Sequence, residues 1–161
     1  MNYSISEKNM NIEIIHYTKE NQKYFTDLNV LWVEKYFVME PHDKEVLYHP
    51  EEYILDKGGH IYFAKEGNSI AGTFALIFVE EGVYELSKMT VDEAFRGKKI
   101  ANKMLEFCLE EAKRLNASKI ILYSNTILAP AIHLYKKFGF KEIPVGNSEY
   151  KRSDIKMEIT L

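Results

Sequence analysis

Three features of this sequence carry residue types that could do chemistry: a basic glycine turn at Arg96-Gly97-Lys98-Lys99, a tyrosine at position 135, and a glutamate at position 85. The turn is the most informative. In Val91-Asp92-Glu93-Ala94-Phe95-Arg96-Gly97-Lys98-Lys99-Ile100-Ala101 an apolar strand ends, the turn comes next, and a helical pattern begins. A helix start presents unpaired backbone N–H groups and a partial positive charge, so a turn that exposes them binds a pyrophosphate. Arg96, Lys98 and Lys99 add full charges. Neither G-x-G-x-x-G nor G-x-x-x-x-G-K-[ST] occurs, which removes the usual support for a dinucleotide fold or a P-loop. Taken alone, the turn is explained equally well as a solvated basic loop ahead of a surface helix.

The run Arg96-Gly-Lys-Lys-Ile-Ala101 resembles the R/Q-x-x-G-x-G/A signature of the GNAT superfamily of acyl-CoA N-acyltransferases. One position departs from it, because Lys99 stands where the signature has its central glycine. The lysine either points away along the helix or binds a phosphate itself, and a backbone amide remains there in both cases. A second segment, Asn125-Thr-Ile-Leu-Ala-Pro-Ala131-Ile-His-Leu-Tyr135-Lys-Lys-Phe-Gly-Phe140, resembles the family's N-x(5)-A-x-x-L-Y-x-K-x-G-F hallmark and is the more specific match. The resemblance runs from about residue 11 to the end. It implies acetyl-CoA or coenzyme A as co-substrate, with contacts from Met89, Thr90 and Val91, from Arg96, Gly97, Lys98, Lys99, Ile100 and Ala101, and from Asn125 and Tyr135. In that fold two parallel strands splay apart, and the pantetheine arm pairs with their free backbone like an added strand.

Transfer from a thioester to an amine needs an uncharged amine, stabilisation of the oxyanion and a proton for the leaving thiolate. By resemblance, backbone N–H groups around Met89 or Thr90, where the fourth strand bulges, polarise the acetyl carbonyl, and Tyr135 is the general acid. A phenol of pKa about 10 protonates a thiolate whose thiol is near 8.5 only uphill, so position gives it its value. Without the motif Tyr135 reads as a core aromatic, on one apolar face with Leu128, Ala131, Ile132 and Phe138. Glu85 is the first candidate base. Alternation puts Glu85, Ser87 and Met89 on one strand face, and the roughly 6.6 Å between alternate residues suits a water relay. A solvent-facing strand glutamate is the alternative.

For the acceptor, Trp32, Tyr36, Phe37, Met39, Glu40 and Asp43 bring aromatic and acidic groups together, a composition suited to a cationic amine; an ordinary helix core followed by a solvated acidic turn is the alternative. Lys151 and Arg152, beside Tyr150, would instead select a carboxylate-bearing acceptor. His42, His49 and His60 lack metal-ligand spacing, so no metal is expected. Cys108 lies on the apolar stripe of a helix and is expected to be buried and inert.

These residues need elements to hold them. A strand is expected over Asn11 to Tyr17, then a helix through Tyr24, Leu28, Leu31, Trp32, Val33 and Tyr36 that ends before Pro41, with a further helical turn from Pro50 to about Leu55. Period-two patterning at Ile61/Phe63, Ile70 to Val79 and Val83 to Val91, broken by Glu66-Gly67-Asn68 and Glu80-Glu81-Gly82, predicts an antiparallel meander. A helix from about Gly97 to Leu115, stopped by a left-handed Asn116, leads to a strand over Lys119 to Tyr123, which must then run parallel to its predecessor. A helix from Ala129 to Phe138 and strands over Phe140 to Ile143 and Asp154 to Thr160 complete the pattern. The fold class is α/β (α+β): a mixed, mostly antiparallel six- to seven-stranded sheet with splayed parallel central strands and helices on both faces.

The bulk properties bound the rest. With 161 residues, 46% hydrophobic and 28% charged, the chain reads as one globular domain spanning 1–161. No apolar stretch approaches the roughly 20 residues of a membrane span, and Met1-Asn2-Tyr3-Ser4 lacks a signal-peptide layout. A lone cysteine fits a reducing compartment, with cytoplasm the default. A net charge of −3 argues against general nucleic-acid affinity. The expected partner is a small-molecule or peptide amine, with no nucleic acid and no membrane, and a homodimer stays open. An RNA-binding α/β domain predicts a basic, aromatic sheet face, whereas Phe74 and Phe78 sit among core-like aliphatics. The rival that shares every motif is a catalytically silent acyl-CoA-binding or regulatory module of the same fold.

Overall fold

The computed structural model describes residues 11–161. Seven strands form one sheet in the order β1-β2-β3-β4-β5-β7-β6, with β1 Ile12–His16, β2 His60–Glu66, β3 Ser69–Glu80, β4 Val83–Val91, β5 Lys119–Ser124, β6 Lys141–Ile143 and β7 Ile155–Thr160. Every neighbouring pair is antiparallel except β4 and β5. The helices are α1 Gln22–Tyr36, α2 Pro41–Tyr48, α3 Pro50–Tyr53, α4 Ile100–Arg114 and α5 Ala129–Lys137.

The sheet is covered on both faces because successive strand residues point opposite ways. On β2, Ile61 and Phe63 join Phe25, Val46, Leu47 and Ile54 beneath α1, α2 and α3. Tyr62 and Ala64 turn to the other face and meet Met104, Leu105, Cys108 and Ala112 of α4, with Ile132 of α5. The apolar stripe read along α4 is therefore its buried face, and Cys108 lies within it. Burial pushes the Cys108 thiol up to about 12, which keeps it protonated.

Several boundaries depart from the sequence expectation. Pro41 ends the first helical stretch and also opens α2 as its first residue, where its missing N–H costs nothing. Glu40 and Asp43 form a reciprocal capping box there, so the acidic turn expected at these positions is the start of a helix. The long helix begins at Ile100 rather than Gly97, because Glu93–Phe95 forms a separate 3₁₀ turn capped by the Asp92 side chain. Asn116 does take the left-handed conformation expected of it, with φ 63°.

The parallel pair decides where a ligand can enter. Pairing between β4 and β5 covers Val83 with Lys119, Tyr84 with Ile120 and Glu85 with Ile121. Beyond that point β4 continues to Val91 and β5 to Ser124 without a ladder between them. The strands splay, and their backbone groups in the gap are free.

Candidate active site

The gap opens beside a bulge in β4. Thr73 of β3 faces Thr90, yet Ala75 faces Ser87, so Lys88 and Met89 together stand opposite Phe74. Lys88 absorbs the extra residue by taking a left-handed backbone with φ 57°. A bulge of this kind removes a residue from the ladder and re-aims the side chains around it. Here it breaks the alternation of the strand, and Glu85, Ser87, Lys88 and Met89 all line one cleft of about 160 Å³. Strict alternation would have sent Lys88 to the opposite face from Glu85.

The cleft passes through the splayed sheet. Trp32, Val33 and Phe37 line it from α1 and the residue after it, while Leu128, Ala131 and Tyr135 line it from the side of α5. Tyr135 packs edge-on against Phe140, with ring centroids 5.9 Å apart. Burial pushes its phenol up to about 12, so it carries its proton at neutral pH. Glu85 lines the same cleft, and burial raises its carboxyl to about 7 against the opposing pull of Lys88. A carboxylate near neutrality can take up and release a proton in the working range.

A second cleft, sharing Trp32, leads along Thr90, Val91 and Asp92 to Arg96. It ends at the basic turn. Gly97 has φ 79° and Lys99 has φ 57° and ψ 33°, the left-handed region that favours glycine. Lys99 thus holds a backbone conformation that favours glycine, at the position where the signature it resembles has one, and it stands as the N-cap of α4. The first amides of α4 are thereby presented without intrahelical partners. Lys99 is exposed, Lys98 pairs with Glu66 at 3.1 Å, and Arg96 lies 3.7 Å from Glu93. Ile100 is buried in the core, so only its backbone faces the turn.

Asn125 lines the first cleft, but both ends of its side chain are engaged. Its Nδ2 donates to the Arg152 carbonyl at 2.6 Å, and its Oδ1 accepts from the Ile127 amide at 2.9 Å. It ties the loop after β5 to the segment before β7.

The acceptor residues expected from sequence divide between locations. Trp32 lines both clefts. Tyr36 faces the second, where the neighbouring Arg96 guanidinium lowers its phenol. Glu40 and Asp43 line neither, because Arg152 stands between them and the opening: its guanidinium donates to Asp43 at 2.7 and 2.9 Å and to Glu40 at 3.2 Å. Asp43 is fully buried; burial would raise its carboxyl, but the Arg152 hydrogen bonds and charge with the Glu40 amide hold it below the usual range. The expectation of acidic groups facing an amine is thus corrected, since both are consumed by Arg152. The same pairing occupies the cation expected to select a carboxylate. Lys88 escaped sequence reasoning altogether, and Tyr150 entered it only as a neighbour of Arg152. Lys88 donates to the Tyr150 hydroxyl at 2.7 Å and sits 4.3 Å from the centre of its ring, and both line the first cleft. Only the bulge could have revealed Lys88, and no spacing in the sequence encodes it.

Among the described residues no group of His, Cys, Asp and Glu is arranged to hold a metal ion, and no helix is long and apolar enough to cross a membrane. Residues 24–140 match the model of the Acetyltransferase (GNAT) family. The chain is 30% identical over 95 residues to N-acetylaspartate synthetase of Mus musculus, a match covering 58% of this chain and 32% of that protein, so it spans about a third of that relative. It is 31% identical over 94 residues to the uncharacterised N-acetyltransferase YjgM of Escherichia coli K12, covering 56% of each. An acetyltransferase of the GNAT family from Staphylococcus aureus Mu50 superposes with a TM-score of 0.83 at 24% identity, over 92% of this chain and 98% of the other. Spermidine N-acetyltransferase from Vibrio cholerae, solved with CoA and spermine, superposes with a TM-score of 0.72 at 20% identity, over 94% and 96%. Because the match over residues 24–140 takes in both motifs and the bulged strand β4 ahead of them, this chain belongs to the acetyltransferase (GNAT) family.

Proposed function

We propose that the chain transfers the acetyl group of acetyl-CoA to a primary amine of a small molecule or peptide, by direct attack while both substrates are bound. One observation carries this reading: the bulge at Lys88 and Met89 lies beside the unpaired stretch of β4 and β5, and Tyr135 and Glu85 line the same cleft. Coenzyme A fits the residues present. The left-handed turn at Gly97 and Lys99 aims amides at a diphosphate, and the free strand edges suit an extended pantetheine arm. Since Asn125 spends its side chain within the protein, its part is to hold the rim of the gap in place.

Acetyl-CoA, when bound, supplies a thioester whose carbonyl carbon accepts the amine and whose sulfur leaves. The backbone N–H groups at Met89 and Thr90 receive the negative charge that builds on the carbonyl oxygen. Glu85 takes a proton from the amine, directly or through one water, as the nitrogen–carbon bond forms. Tyr135 gives its proton to the departing sulfur, and its raised pKa makes the step uphill, so proximity has to offset the mismatch. Glu85 and Tyr135 then return to their starting states through solvent. The buried thiol of Cys108 takes no part, and a single buried cysteine accords with work in the reducing cytoplasm.

Thiol release from acetyl-CoA, followed across a panel of amino acids, polyamines, aminoglycosides and peptide N-termini, tests the reading. Turnover with at least one amine, with the product heavier by one acetyl group, is the expected result. Calorimetric binding of CoA with no turnover on the panel would reassign the chain to a silent CoA-binding module.

A further inference from the structure

The acceptor end of the cleft contains two cations, and only one has charge to spare. Arg152 is locked onto Asp43 by two hydrogen bonds and reaches Glu40 with a third. Lys88 is different. Among the described residues no carboxylate oxygen lies within 4.0 Å of its Nζ, and the hydrogen bond it makes goes to a neutral phenol. The acids around it are turned elsewhere: Asp43 faces Arg152, and Glu149 meets His42 Nε2 at 2.5 Å. Glu85, on the same strand, is the remaining carboxyl of the cleft, and it too stands beyond 4.0 Å from the ammonium.

Lys88 is also held where it is. Its left-handed backbone at the bulge aims it into the cleft, where its ammonium lies 4.3 Å from the centre of the Tyr150 ring, a ring that the Arg152 guanidinium approaches to 4.4 Å. A lysine ammonium has three N–H donors and a phenol has one. One lysine donor goes to the Tyr150 oxygen, which leaves two on Lys88 and the hydroxyl proton of Tyr150 to donate to an occupant of the cleft that both residues line. Desolvation lowers the Lys88 ammonium to about 8, which leaves it charged at neutral pH, and three donors around that charge match an oxyanion.

The geometry points to Lys88 and Tyr150 as the receptor for a carboxylate carried by the acceptor itself, so that the amine acetylated is a small amino-carboxylate such as a free amino acid. This rests on the acetyl transfer proposed above and names its substrate class. The carboxylate anchors on Lys88, beside the bulge, while the amine of the same molecule faces Glu85. A polyamine would bring a second cation against Lys88, a like-charge contact that disfavours it.

Amino acids are compared with their decarboxylated amines in the thiol-release assay, and binding of the same amino acids to CoA-loaded protein is followed by calorimetry. The expected result is a kcat/KM at least about 10-fold higher for the amino acid, expressed mainly in KM. Lys88→Met should remove that ratio and the calorimetric heat, Lys88→Arg should restore part of both, and Tyr150→Phe should lower the ratio by a smaller factor. Equal or better turnover of the decarboxylated amines, or a preference that survives in Lys88→Met, overturns the assignment. Should no amine turn over at all, the transfer reading fails by itself: amino-acid binding that depends on Lys88 would still support the receptor, and absence of such binding in the wild type would refute it.

Discussion

Replacing Lys99 by glycine removes an ammonium from the basic turn, and the backbone geometry requires that it also stabilise the protein. Lys99 holds φ 57° and ψ 33°, where a side chain costs roughly 1–2 kcal/mol. Glycine gives up that penalty but gains freedom in the unfolded chain worth about 0.4–1 kcal/mol. The net expectation is a gain of about 0.5–1 kcal/mol. For a domain of this size each kcal/mol moves the melting temperature by about 2–4 °C, so Lys99→Gly should melt about 1–4 °C higher. Gly97→Ala is the mirror experiment. Its φ of 79° strains a side chain in the same way, and an added Cβ there meets no atom within 4 Å, so a loss of about 1 kcal/mol would come from backbone conformation alone. Scanning calorimetry on both variants, with the wild type alongside, provides the readout. If Lys99→Gly melted at or below the wild type, or both variants shifted the same way, the left-handed strain argued for this turn would be wrong.

Tyr135→Phe should reduce kcat by about 100- to 10,000-fold if proton donation limits turnover, and a rate within threefold of wild type in the thiol-release assay would remove Tyr135 from the mechanism. Glu85 should set the acidic limb of kcat/KM, with an apparent pKa near 7, and Glu85→Gln should abolish that limb. The same raised value has a stability consequence of known sign: between about pH 4.5 and 7 the folded state keeps a proton that the unfolded chain has lost, so folding weakens as pH rises through that window. Urea titrations of wild type against Glu85→Gln should therefore diverge between about pH 4.5 and 7 and level off above, by on the order of 1–3 kcal/mol. Asp43→Ala leaves Arg152 without its principal partner in a site where Asp43 is fully buried, and it should cost about 3–5 kcal/mol in urea unfolding. Because the Asp43 carboxyl is held low, its stabilising contribution is present above its unfolded pKa and fades as pH falls through the folded one, which acid unfolding of wild type against the variant would register.

Much of the architecture was legible in the residues because it depends on short-range rules. Period-two runs marked β2, β3 and β4, the apolar stripe of α4 marked its buried face, Asn116 marked a left-handed helix stop, and a strand-helix-strand crossover forced β4 and β5 to be parallel. The helix α2 was less legible, since Pro41 serves equally as a stop and as a first residue, and only the side chains of Glu40 and Asp43 folding back on the backbone decide between them.

Neighbours along the chain were enough to settle the order of elements, the position of the basic turn ahead of a helix, and the placing of Glu85 on a strand and Tyr135 on a helix. Which charges face the cleft depended instead on contacts between distant segments. Arg152 and Asp43 are far apart in the chain, and their pairing withdraws both from ligand binding. Lys88 enters the cleft because a residue inserted opposite Phe74 reverses the alternation of β4, an outcome fixed by the register of two strands rather than by the composition of one.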